Sequence, residues 1–117
     1  MQWMEAVVHQ EEREQIRREF GEAVNMTAKQ LEQWLASKES KAVGDKPDGE
    51  STGHASGRRI VALLRTRPDD LTEDDYRHMR KVTGYVHRHT AQRPASDITT
   101  SRWRYSLMNW GHDPLDH

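Results

Sequence analysis

The chain has 117 residues, 33% hydrophobic and 32% charged, with a mean hydropathy of −1.07 and no cysteine. That length suits one domain with a modest core, and that polarity predicts thin packing, some disordered sequence, or help from a partner. Disulfides and cysteine-ligated metal are excluded. MQWMEAVVHQEERE at the N-terminus lacks the apolar run of a signal peptide, and nothing approaches the roughly 20 apolar residues of a membrane span, so a cytoplasmic chain outside membranes is expected.

The net charge of −1 hides a strong segregation. Residues 1–50 carry seven Lys/Arg against eleven Asp/Glu (−4), residues 51–68 four arginines and no acid (+4), and residues 69–75 five acids and no base (−5). Residues 76–94 then carry five Lys/Arg and no acid (+5), and residues 95–117 give −1. Two basic blocks around an acidic turn predict an electrostatic role confined to one face.

In chain order, residues 1–10 are ambiguous and expected to fray. A first helix is predicted from about Glu11 to Ala23, where Ile16, Phe20 and Val24 recur every four residues and Glu14–Arg18 is a favourable pair. Thr27 caps a second helix, with Gln30 completing a capping box and Met26 stapling to Leu31; Leu31, Trp34 and Leu35 form its apolar side. SKESKAVG adds a short turn or helix that Gly44 stops. Residues 45–53, DKPDGESTG, read as a flexible loop. Gly44 and Gly49 have the spacing of a phosphate-binding loop, but Glu50 stands where lysine is needed and no strand precedes it.

A third helix is predicted from His54 to Thr66, with Ile60, Val61 and Leu64 inward and Leu63 at the margin. Pro68-Asp69-Asp70 then turns the chain into the longest helix, Glu73 to Gln92. Thr72 caps it, Glu73, Asp74 and Asp75 complement its dipole, and Leu71 staples onto Tyr76. Met79, Val82, Thr83 and Val86 share one face, with Tyr76 and Tyr85 at its edges; Arg77, Arg80, Lys81 and Arg88 oppose them around Gly84. Ser101 caps a last helix, Arg102 to Trp110, before Gly111 and Pro114. With no strand-like alternation the fold class is all-α: residues 11–115 as a single small domain of four to five helices with a long basic central helix.

The strings VNMTAKQLEQWLASKESKAVG, GHASGRRIVALL, DDYRHMRKVTGYVHRH and SRWRYSLMNWGHDP follow one another between Val24 and Leu115. They resemble domain-of-unknown-function family 3140 of bacteria and fungi. The resemblance implies a small helical protein with no established activity, and some members carry a DNA-binding label. Thr83 and Thr90 stand where aliphatic residues are expected in relatives.

Seven histidines raise the question of metal. His87 and His89 point about 200° apart on a helix and cannot converge on one ion. His89 falls beside Val82 and Val86 as a half-buried, hydrogen-bonded core histidine, with His78 at the same margin; sites across helices with His54 or His112 are the remaining geometry. No metal or cofactor is expected. Ser56 in GHASG has neither the glycine spacing nor the strand of a nucleophile elbow, and capping explains the acidic run, so no enzyme is expected. In WRYSLMNW, Trp103, Leu107 and Trp110 close the core while Arg102, Arg104 and Tyr105 reach outward.

What remains is the basic surface. Arg77, Lys81 and Arg88 line one side of the long helix, Gly84 leaves room for a phosphate or another backbone, and Arg58 and Arg59 extend the patch. This suits contact with a DNA or RNA backbone, which supplies affinity without sequence information. The alternative is a solvated face paired with Asp69, Asp70 and Asp74, on a helical module that binds a protein partner or itself. Both readings stay open at the level of sequence.

Overall fold

The structure is a computed structural model that describes residues 2–43 and 52–116. Among these residues it is all-α, with six α-helices, one short 3-10 turn and no strand. The helices are α1 (Gln2–Ala23), α2 (Ala28–Leu35), α3 (Lys38–Ala42), α4 (Thr52–Leu64), α5 (Glu73–Thr90) and α6 (Arg102–Asn109), with the 3-10 turn at Pro68–Asp70.

Local chemistry sets most of the starts. Thr27 and Thr72 each accept from the N3 backbone N–H, and Gln30 and Asp75 reach back to the cap N–H, closing two capping boxes. Ser37 and Ser101 cap α3 and α6 in the same way with one bond each. Two boundaries differ from the sequence expectation. The first helix begins at Gln2, so it includes the stretch expected to fray. Of the expected loop at 45–53, residues 45–51 lie outside the described residues, as does the Gly44 stop, while Thr52 and Gly53 already form the first turn of α4.

Two helix pairs make the body: α1 lies along α5, and α2 along α4; α6 touches α2, α3, α4 and α5 and joins them. Their apolar stripes meet in one cluster that includes Phe20, Leu31, Ile60, Val82 and Leu107. Leu63 is buried and Leu64 is 36% exposed, the reverse of the expected order. Leu64 still falls within the buried arc of α4 by angle. Its exposure comes from being the last residue of that helix, a position along the axis that periodicity does not register.

Close approach at two glycines fixes α6. A Cβ on Gly57 would lie 2.5 Å from the Asn109 carbonyl oxygen, so α4 meets α6 backbone to backbone. Gly111 has φ +82°, and a Cβ there would lie 2.9 Å from Val24. Beyond it, Asn25 donates to the Asp113 carbonyl at 2.9 Å and accepts from the Asp113 N–H at 2.8 Å. Arg104, expected to reach outward, instead forks onto both Asp113 carboxylate oxygens at 3.1 Å and donates to the Thr99 carbonyl at 2.6 Å. Tyr105 is likewise drawn in, tilted against Trp34 with ring centroids 5.2 Å apart. The C-terminal segment therefore locks α6 onto the junction of α1 and α2.

A buried polar hub completes the frame. Asn109, 1% exposed, accepts from Trp34 Nε1 at 2.8 Å and from Ser40 Oγ at 2.5 Å, and donates to the Ser40 carbonyl at 3.2 Å. One side chain thus ties α2, α3 and α6 together.

Candidate nucleic-acid interface

Lys81, Tyr85 and Arg88 recur at i, i+4 and i+7 on α5, one stripe at the edge of its buried face. They form one wall of a groove of about 330 Å³. Thr52 and Gly53 at the start of α4, Val43, and Ser106, Asn109 and Trp110 on and just after α6 form the rest. Lys81 and Arg88 are exposed, and among the described residues no carboxylate lines the groove. The space at Gly84, expected to admit a phosphate, is taken by the protein itself: the Arg88 guanidinium folds back to within 3.0 Å of where a Cβ would stand.

Behind the cations runs a column of rings. His78 stacks on Trp110 at 6.4 Å, Trp110 on Tyr85 at 4.2 Å, Tyr85 on His89 at 5.2 Å, and His89 on Trp103 at 5.9 Å, all within 16° of parallel. The Arg93 guanidinium lies over the Trp103 ring, 5.9 Å from its centroid. Tyr85 and Trp110 therefore each stack against two neighbouring rings, and Trp110 is 5% exposed. The reading of the sequence missed this column, although its signal was present: 78, 85 and 89 share a stripe of α5, and 103 and 110 share one of α6.

The column explains its histidines. His78 Nε2 lies 3.0 Å from Ser56 Oγ; burial lowers its pKa, and the nearby Arg59 and Lys81 charges lower it further. That distance matches a nucleophile–base pair, but neither residue lines the groove, and the contact tethers α4 to α5. His89 is half-buried as expected, and burial lowers its pKa too. A hydrogen bond with the Trp103 backbone opposes that effect, Nε2 is buried with no partner among the described residues, and the ring stacks on Tyr85 and Trp103. Burial raises the Tyr85 hydroxyl, against a smaller opposing effect of Ser106. His54 donates to the Leu35 carbonyl at 2.8 Å and His112 to the Ala23 carbonyl at 2.7 Å. Among the described residues no group of three or more His, Cys, Asp or Glu could hold a metal ion, and no helix is long and apolar enough to cross a membrane.

The five residues expected to bind nucleic acid do not gather. Lys81 and Arg88 share the groove. Arg59 pairs with Asp75 at 3.4 Å, and Arg77 pairs with Asp74 one turn earlier on the same helix. Arg58 is exposed on α4 but lines a different cavity, with Glu32, Leu35, Ala36, His54 and Val61. The cause is the acidic turn, which folds onto the basic blocks that flank it. α1 adds to the compensation, since Arg13 pairs with Glu73 and Arg80 with Glu12. A block free of acid along the sequence is not free of acid in space.

A family model described as a protein of unknown function (DUF3140) matches residues 19–108. No curated protein and no solved structure matches the chain.

Proposed function

This chain belongs to the DUF3140 family of proteins of unknown function, and we propose that it is a non-enzymatic accessory module that binds nucleic acid weakly and without sequence preference. The observation that carries this reading is the groove in which Lys81 and Arg88 stand together, with no carboxylate among its described lining residues. Two cations on one stripe can neutralise two phosphates and release their counterions, which is the sequence-independent part of nucleic-acid affinity. Arg59 and Arg77 are secondary. Their exposed pairs are worth at most about 1 kcal/mol and can open, but each would leave a carboxylate beside the incoming phosphate. The covered ring faces offer no platform for base stacking, which also argues against base selection.

An apolar partner surface is less well supported. Among the described residues the exposed large hydrophobics are Leu64 and Leu115, single side chains on different elements. The test is fluorescence anisotropy with random-sequence oligonucleotides on the wild type, Lys81→Gln/Arg88→Gln and Arg59→Gln/Arg77→Gln. The first pair should weaken binding about tenfold or more and the second by less, since hydrogen bonds to charged groups are worth about 1.5–3 kcal/mol each. Equal binding by all three proteins, or none by the wild type at low salt, would overturn the proposal.

A further inference from the structure

The groove contains more than two cations, and its other groups narrow the ligand. Trp110 is 5% exposed, and its Nε1 lies 3.1 Å from where a Cβ on Gly53 would stand, where both residues line the groove. The other two tryptophan donors with described side chains are satisfied, Trp34 by Asn109 and Trp103 by the His89 carbonyl. The groove therefore combines Lys81, Arg88, the Trp110 indole donor and the positive end of the α4 dipole, all complementary to an anion. Much of the remaining lining is apolar: Val43 and the carbon edges of Tyr85 and Trp110. A bare phosphate has no use for such a wall, and a duplex presents only its phosphates and sugars to a recess of about 330 Å³. The recess is of the size that holds small organic ligands.

The geometry points to one unpaired nucleotide as the occupant, with the two phosphates that flank it in a strand at Lys81 and Arg88 and its base edge-on against Tyr85 and Trp110. This inference rests on the nucleic-acid reading above and adds a preference for single strands over duplex. The edge-on placement follows from the stacked column: a base cannot slide onto Tyr85 without displacing Trp110 or His89. The positively polarised ring edges and the indole N–H suit carbonyl and ring-nitrogen acceptors, which every base possesses. Selection among bases is therefore absent.

Two measurements test this. The first titrates ¹⁵N-labelled protein with uridine monophosphate and follows the indole and backbone N–H signals. The Trp110 indole and the Gly53 amide should shift together and saturate, the Trp34 and Trp103 indoles should stay in place, and Lys81→Gln/Arg88→Gln should weaken the effect about tenfold. The second compares a twelve-nucleotide single strand with the matching duplex at one salt concentration, where the single strand should bind about tenfold tighter. Equal affinity for both forms, or shifts that leave Trp110 and Gly53 untouched, would overturn the groove assignment while leaving the broader reading standing. Failure of both forms to bind would remove that reading as well. Lys81 and Arg88 are exposed, so the double variant should keep the wild-type melting temperature, which separates lost binding from lost fold.

Discussion

At the scale of single residues, Asn109 carries the largest expected penalty. Asn109→Ala leaves Trp34 Nε1 and Ser40 Oγ without their acceptor in a buried site, and the loss should be about 2–4 kcal/mol in urea unfolding at neutral pH. A loss below about 0.5 kcal/mol would mean that the hub is replaceable by solvent. Thr27, Thr72 and Ser101 were legible as caps because their partners lie three residues away. Asn109 was not, because its partners lie 69 and 75 residues away. Arg104 was misjudged for a related reason: its position on the wheel says nothing of Asp113, which the Gly111 turn brings back beneath it. Burial alone would raise the Asp113 carboxyl, but the Arg104 guanidinium and the Leu115 N–H hold it below the usual range. Its stabilising contribution is present above about pH 4 and is lost as pH falls through the lowered value. Arg104→Gln should therefore flatten acid unfolding below that pH.

Among the elements, α5 holds both cations of the proposed interface and also most of the expected pH response. His78 and His89 have lowered pKa values in the fold, first through burial and, for His78, through Arg59 and Lys81 as well; Asp75 opposes this at His78. With a lowered folded value, the unfolded chain takes up protons first as pH falls. The contribution of these residues is complete above about pH 6.5 and is lost as pH drops through their folded values. Thermal melts at about pH 7.5 and about pH 5.5 should show the lower midpoint at the acid value, and His78→Gln/His89→Gln should narrow the gap. An unchanged gap would place the response elsewhere. The helical face of α5 was readable from periodicity, since Tyr76, Met79, Val82, Thr83 and Val86 are its buried residues. Thr83 fits because its hydroxyl donates to the Met79 carbonyl at 3.0 Å, and Thr90 does the same to Val86 at 2.8 Å. The ring column was harder to read, because it exists only where α6 crosses α5.

Across the whole molecule, charge is what folding rearranges most. Sequence blocks of +4 and +5 suggested five cooperating cations, whereas the fold pairs Arg59 and Arg77 with the acidic turn and leaves Lys81 and Arg88 together. All-α architecture survived this rearrangement because it depends on local periodicity and caps. The site did not, because pairing across helices depends on distances that no block count contains. The salt dependence of single-strand binding measures the outcome directly. Two phosphate contacts predict that log K falls against log salt with a slope of about −1.4, at about −0.7 per neutralised phosphate. Lys81→Gln/Arg88→Gln should bring that slope close to zero. A wild-type slope near about −3.5 would mean that all five predicted cations engage the strand, and a slope unchanged in the double variant would place the interface away from the groove.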